Sequence, residues 1–535
     1  MSPQSRMPAV RSGALVLAVS LLGGLRLFGS FSSPGGLDEL QTLGTLPGSA
    51  AFRVAASEAV AQEAQVVAGT DHVYHPGRLG EDDVVVPSTP IPFCVGGEAP
   101  DTCYSGEPLR VQSGYLGRDA AEPTIGVDDE GVAFMAAAAY DAAAGLPRTR
   151  VMRSIDGGVS WSSVEPRIPG TDYPLHAASS DPYLYVDEET GRVYWLDWHG
   201  DCSFLTWSDN QGASWLTNPE ACGSPVTDHP TIVTGNPPPP LQTVNYPNVL
   251  YYCFNRVADA SCGRSLDGGL TWTPTGAPAF PGYEVGNSYN KFGVPGLCGG
   301  LHGHAVTDQA GRLYIPKSHC GIPVLAVSED AGTTWRRTVV STKFATGAAH
   351  VGEHHSVSID AAGNVYYLFW DDTAHLPWLA ISKDAGRTFS EPMMIAPPGV
   401  TQVNLPAMVA GDAGKVAISF PGTMGDPDDA RRPWDSYVLV TTNALDANPT
   451  FVATTGNPPD DPIHRGNCHG RCGLMLDFLD LVTSPKDGGV WAAVVDTCTA
   501  LNNCNRTTGT PGAASDGEGV AVRQVGGPRI LTPAS

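Results

Sequence analysis

An eight-residue phrase recurs along the chain and limits what the chain can fold into. Ser154-Ile155-Asp156-Gly157-Gly158-Val159-Ser160-Trp161 returns as Ser265-Leu266-Asp267-Gly268-Gly269-Leu270-Thr271-Trp272. It returns again as Ser328-Glu329-Asp330-Ala331-Gly332-Thr333-Thr334-Trp335 and as Ser382-Lys383-Asp384-Ala385-Gly386-Arg387-Thr388-Phe389. A variant from Ser208 to Trp215 carries Asn210 in place of the aspartate. An aspartate can accept hydrogen bonds from the backbone of its own turn, and glycine supplies the backbone angles such a turn needs. The aromatic residue then opens the next strand and packs between sheets. The phrase therefore reads as a fold-forming turn, with no chemistry of its own.

Successive copies lie roughly sixty residues apart, with strand-like runs between them, which is the spacing of β-propeller blades. Within a period the runs order as inner strand a, then b, c, the phrase, and outer strand d. Turns such as Asp128-Asp129-Glu130-Gly131, Asp308-Gln309-Ala310-Gly311 and Asp360-Ala361-Ala362-Gly363 join a to b. A sixth period runs through Val416–Phe420 and Tyr437–Thr441 to a degenerate phrase at Asn443–Asp446. A seventh supplies Leu479–Thr483, Val490–Val495 and Gly519–Val525 but has no outer strand. Pro108–Gln112, just before the first period, has no blade of its own and fits that vacancy. The sequence thus predicts an all-β, seven-bladed propeller closed by an N-terminal strand, with six blades as the alternative. Closure removes two exposed sheet edges.

The pattern S-x-D-x-G-x-[S/T]-W is the Asp box, and from about Glu122 to Val525 the chain resembles the sialidase-like propellers that carry such repeats. The resemblance implies a propeller and a glycan-directed site. In sialidases it also implies three arginines on the sugar carboxylate, a Tyr–Glu nucleophile pair and an aspartic acid. The first of those arginines belongs to an Arg-Ile-Pro phrase on the first inner strand. Here that strand reads Ala121-Glu122-Pro123-Thr124-Ile125, and Arg167-Ile168-Pro169 falls after the first box. An acid at this place repels an anionic sugar, so the sequence predicts a sialidase-like fold without sialic acid cleavage.

The ends of the chain set its organisation. Arg6 and Arg11 precede an apolar run from Ala14 to Leu25, the pattern of a secretory signal, with an uncleaved anchor as the alternative. Residues 1–31 are read as that signal or anchor, 32–106 as a lead-in with a local disulfide, and 107–535 as one propeller. Twelve cysteines suit an oxidising compartment. Cys94–Cys103 and Cys253–Cys262 are expected as local bridges, and Cys202–Cys222 and Cys298–Cys320 as staples across one face. Cys468, Cys472, Cys498 and Cys504 allow three pairings, and His464, Cys468, His469 and Cys472 also have the makings of a zinc cluster. A formal charge of −24 argues against nucleic acid or an anionic membrane as partner.

Candidate chemistry gathers where the inner strands begin. Counting back from the a–b turn places Glu122, Asp181, His229, His302 and His354 at one equivalent position in five successive blades. Two residues on, Thr124, Tyr183, Thr231, His304 and Ser356 share the same side of the strand. The ends of the b strands add Asp141, His199, Arg256, His319, Asp371 and Asp372. Three functional classes follow. One is a carbohydrate-active hydrolase using two carboxylates drawn from Glu122, Asp181, Asp228, Glu353 and Asp371. Another is a metal-dependent hydrolase or lyase with a divalent ion on His229, His302, His304 and His354, completed by Asp181 or Glu122. The third is a non-catalytic extracellular propeller presenting Tyr183, Trp198, Trp370 and Trp378 to a glycan, a glycoconjugate or a protein.

Overall fold

All five repeated phrases close as the same turn. The computed structural model describes residues 91–94, 106–141, 146–166, 181–198, 203–220, 227–256, 259–281, 300–319, 321–343, 355–371, 375–468, 472, 475, 477–498 and 517–533. In the first phrase the Ser154 hydroxyl donates to Asp156 Oδ1 (2.9 Å) and accepts from the Gly158 amide (2.8 Å). Asp156 in turn accepts from the Ser160 amide and hydroxyl. The same four bonds recur at Asp267, Asp330 and Asp384. Asn210 reproduces them by accepting from the Ser214 amide and donating its own Nδ2–H to the Ser214 hydroxyl.

The turns punctuate seven antiparallel sheets arranged as blades of a β-propeller. Inner strands are Ala121–Val127, Tyr183–Val186, Thr227–Gly235, Val306–Thr307, Ser356–Ile359, Ala407–Ala410 and Asp480–Thr483, for blades 1 to 7. Each inner strand touches the next, and the seventh touches the first, so they line a closed ring. Strand periodicity fills the spaces between blades. In blade 5, Tyr366, Leu368 and Trp370 face blade 6, whereas Val365, Tyr367 and Phe369 face blade 4. Each of the seven interfaces holds one such apolar cluster. The aromatic ends of the phrases belong to them: Trp161, Trp215, Trp272, Trp335 and Phe389 each pack against the interface with the preceding blade.

The expected closing strand is present and longer than the sequence suggested. Arg110–Asp119 pairs with Glu518–Gly526 as the outer strand of blade 7. Buried Leu109 and Val111 fill the blade 6–7 interface and Leu116 fills the blade 7–1 interface, each contributing about 1.5–3 kcal/mol of apolar burial. Blade 6 departs from the four-stranded plan. Ile91–Cys94 adds to its outer edge opposite Thr450–Thr455, so part of the stretch read as a lead-in belongs to the sheet. Of the expected bridges, Cys253–Cys262 is formed, joining strands b and c of blade 3. Cys468–Cys472 is also formed, and Cys498 is disulfide-bonded. Cys103, Cys202, Cys222, Cys298, Cys320, His469, Cys504 and the stretch expected to be an N-terminal signal or anchor lie outside the described residues. Among the described residues no helix is long and apolar enough to cross a membrane.

Candidate functional site in the central channel

The inner strands begin with an unusual backbone. Ladder register slips between Ala121 and Thr124 in blade 1 and between Asp228 and Thr231 in blade 3. At these bulges Glu122 and His229 take φ values of 49° and 53°, and Leu405 in blade 6 takes 44°. All three precede a proline (Pro123, Pro230 and Pro406). Left-handed geometry before proline costs of order 1–3 kcal/mol per residue, so surrounding contacts must hold it. Proline, having no N–H, leaves no ladder donor orphaned at the bulge.

The Leu405 amide is held by Asn404 Oδ1 at 3.0 Å, and carboxylates on neighbouring blades supply contacts at the two bulges. Asp181 of blade 2 accepts the His229 amide at 3.0 Å. Glu122 of blade 1 accepts the Asp477 amide at 3.1 Å, and Asp480 of blade 7 accepts the Ile125 amide at 3.0 Å. Glu122, Asp181 and His229 are all buried as a result. Among the other candidate acids, Asp228 is half-buried beside Asn255. Asp371 caps its own b–c hairpin by accepting from the Leu376 amide and Trp378 Nε1. Glu353, His354, His199 and Asp372 lie outside the described residues. Of the candidate aromatics, Trp370 is buried and stacked on His375 at 5.2 Å. Trp378 lies half-buried under the Lys343 ammonium.

Three of the predicted histidines come together. The His229 ring lies 5.6 Å from that of His302 and 6.4 Å from that of His304, centroid to centroid. His302 and His304 flank Gly303, where a side chain would collide with the His355 carbonyl of blade 5. Glycine thus lets blade 5 press against the strand and fixes where the two rings go. His302 is fully buried and its Nδ1–H donates to the Gly303 carbonyl at 2.7 Å. Burial holds its pKa down at about 3 against that hydrogen bond, with Lys317 and His304 lowering it further, so the ring is neutral. His304 places Nδ1 3.4 Å from Asp480 Oδ1 and its ring edge-on to Tyr183 at 4.9 Å. Burial, then the Asp480 charge, pushes the Tyr183 phenol well above its usual value, so it stays a hydrogen-bond donor.

Two members of the site escaped the sequence reading. Phe478 packs edge-on against both His229 (5.0 Å) and His304 (5.2 Å), and Asp480 orients His304. The same count back from the a–b turn reaches them in blade 7, and Leu405 and Ala407 in blade 6. That signal was hidden because blade 7 opens its turn with Ser484 and blade 6 with Gly411, where blades 1, 2, 4 and 5 have aspartate.

A cavity of about 470 Å³ runs from the a–b turns, at Glu188, Asp308 and Asp360, to Tyr183, His304 and Asp480 at its inner end. Its wall carries Thr234, Thr307, Ser356 and Ser358, and among its described lining residues there is neither lysine nor arginine. Elsewhere, His464 lies beside the Cys468–Cys472 bridge, with donor atoms of the three residues within 4.8 Å of one another. As disulfide sulfurs, the two cysteines are not thiolate ligands.

No family model and no curated protein matches the chain. Solved structures do, at low identity. A protein of unknown function from Dyadobacter fermentans is 14% identical with a TM-score of 0.39, over 78% of this chain and 99% of that one. The intramolecular trans-sialidase of Ruminococcus gnavus is 12% identical with a TM-score of 0.37, over 77% and 96%. YCF48 of Cyanidioschyzon merolae is 11% identical with a TM-score of 0.40, over 81% and 98%. Likeness at this level concerns the fold and carries nothing about the chemistry.

Proposed function

We propose that this chain is an extracellular, glycan-directed propeller that takes a neutral, hydroxyl-rich sugar end into its central channel. The channel itself carries the reading. Its volume of about 470 Å³ lies within the ordinary range of small-ligand pockets. Hydroxyl and carboxylate groups supply acceptors and donors suited to sugar hydroxyls, and the absence of lysine and arginine among the described lining residues disfavours an anionic sugar. The paired cysteines Cys253–Cys262 and Cys468–Cys472 support an oxidising location.

At the inner end of the channel, Asp480 lies 3.4 Å from Nδ1 of His304 and fixes the orientation of that ring. Tyr183 stands beside it as a neutral donor. Tyr183 as donor and Asp480 as acceptor equip this end of the channel to hydrogen-bond a bound hydroxyl. The two-carboxylate reading has less support, because Glu122 and Asp181 are buried on backbone amides.

A glycan array with the purified chain tests the proposal. Neutral glycans should bind, and binding should fall at least tenfold in Ala361→Trp, which narrows the channel at an exposed turn residue. A fluorogenic sialoside should not be cleaved. Preference for sialylated glycans, or unchanged binding in Ala361→Trp, would overturn the reading.

A further inference from the structure

Beyond the channel as a ligand site, we infer that His229, His302 and His304 form the seat of a divalent transition-metal ion at its inner end. The inference deepens the channel reading, since one of the three residues, His304, lines the channel. The seat itself does not depend on what enters the channel.

His302 carries the argument. A carbonyl accepts only, so the 2.7 Å contact with Gly303 fixes the proton on Nδ1 and leaves Nε2 as a bare lone pair. That nitrogen is buried in a fully enclosed residue and has no hydrogen-bond partner. A buried acceptor left unmade is costly, and an imidazole pinned through Nδ1 with Nε2 presented inward is how proteins offer histidine to a metal. His304 has the matching support, a carboxylate behind Nδ1 that Ile125 and Leu481 amides hold in place. His229 is aimed by its bulge and by the Asp181 clasp on its amide.

Spacing agrees. With metal–nitrogen bonds of about 2.0–2.1 Å, two imidazoles on one tetrahedral ion have ring centres roughly 5–6 Å apart. The His229–His302 separation of 5.6 Å fits, and the His229–His304 separation of 6.4 Å requires one of those two rings to move inward. Phe478 lies edge-on against two of the rings and supplies the dry shell that favours coordination. Packing alone does not call for histidine here. At the equivalent positions blades 6 and 7 use Leu405 and Phe478, which complete the ring without a buried nitrogen. Three imidazole donors select zinc or a similar borderline ion over magnesium or calcium, and a fourth position remains for water or a ligand oxygen.

The full chain, stripped with chelator and dialysed, should bind one Zn²⁺ in a calorimetric titration and give a tetrahedral visible band with Co²⁺. His302→Leu should weaken Zn²⁺ binding at least a hundredfold, and Asp480→Asn, a positioning change, about 10–100-fold. His464→Leu, at the disulfide, should leave it unchanged. His304→Gln provides a second ligand variant should His302→Leu fail to fold. Absence of saturable one-to-one binding, or binding unaffected by either ligand variant, overturns the inference. Glycan binding that persists in chelated protein without any Zn²⁺ site removes the metal and leaves the channel reading standing. A Zn²⁺ site with no glycan binding does the reverse.

Discussion

The turns at the outer corners of the blades and the starts of the inner strands use the same residue types to opposite ends. At the repeated turns, Asp156, Asp267, Asp330 and Asp384 are surrounded by their own serine, threonine and backbone donors, and each pKa is lowered. Partial burial alone would raise these values, but the combined hydrogen bonds outweigh it. Inside the ring, Glu122 and His229 sit in left-handed backbone and His302 keeps a buried nitrogen without a partner. Turn residues repeat from blade to blade, whereas the inner positions change from Glu122 to Asp181 to His229 to Leu405 to Phe478. Repetition here marks what every blade needs to fold. Departure from it marks where a blade does something its neighbours do not.

Substitutions on the two sides should therefore move stability in opposite directions. His302→Leu should hold or raise stability, by about 1–3 kcal/mol, because it removes a buried, unpaired acceptor and inserts the residue type that blade 6 already uses. Ser328→Ala should lower stability by about 1–3 kcal/mol, because its fully buried hydroxyl accepts the buried Gly332 amide at 2.7 Å. Chemical denaturation of the chelated parent and the two chelated variants, free of the linked stability a bound ion would add, measures both. If His302→Leu destabilises as much as Ser328→Ala, the inner histidines are ordinary packing and the contrast fails.

Much of this was readable because the period did the work. Five phrases fixed the blade boundaries, and one strand without a blade, Pro108–Gln112, pointed to the closure that Arg110–Asp119 makes. Counting from the a–b turns brought His229, His302 and His304 to one place. The count stopped short of Asp480 and Phe478 because Ser484 does not look like the aspartate that opens the other turns. Ile91–Cys94 was illegible for a different reason: four residues without a flanking turn signal say nothing about which distant edge they join. Nor could the sequence say that Glu122 and Asp181 would spend an oxygen each on a neighbouring blade's amide. That pairing exists only once the ring has closed.

The smallest expected effect tests the turns most directly. Asn210 already stands where the other phrases have aspartate and makes the same contacts, donating to Ser214 through Nδ2. Asp330→Asn should therefore change stability near neutral pH by no more than about 0.5 kcal/mol, since one neutral pair replaces one charged pair at an exposed turn. Its value lies in the pH dependence. Asp330 titrates below 3.8 in the folded chain, so its carboxylate stabilises the turn at all higher pH values, and this contribution drains away as pH falls through the lowered value. Asparagine does not titrate. The melting temperature of the parent should accordingly fall more steeply than that of Asp330→Asn between about pH 4 and pH 2. Parallel curves over that range would mean that the turn carboxylate does nothing its amide cannot, and that the lowered pKa carries no stability.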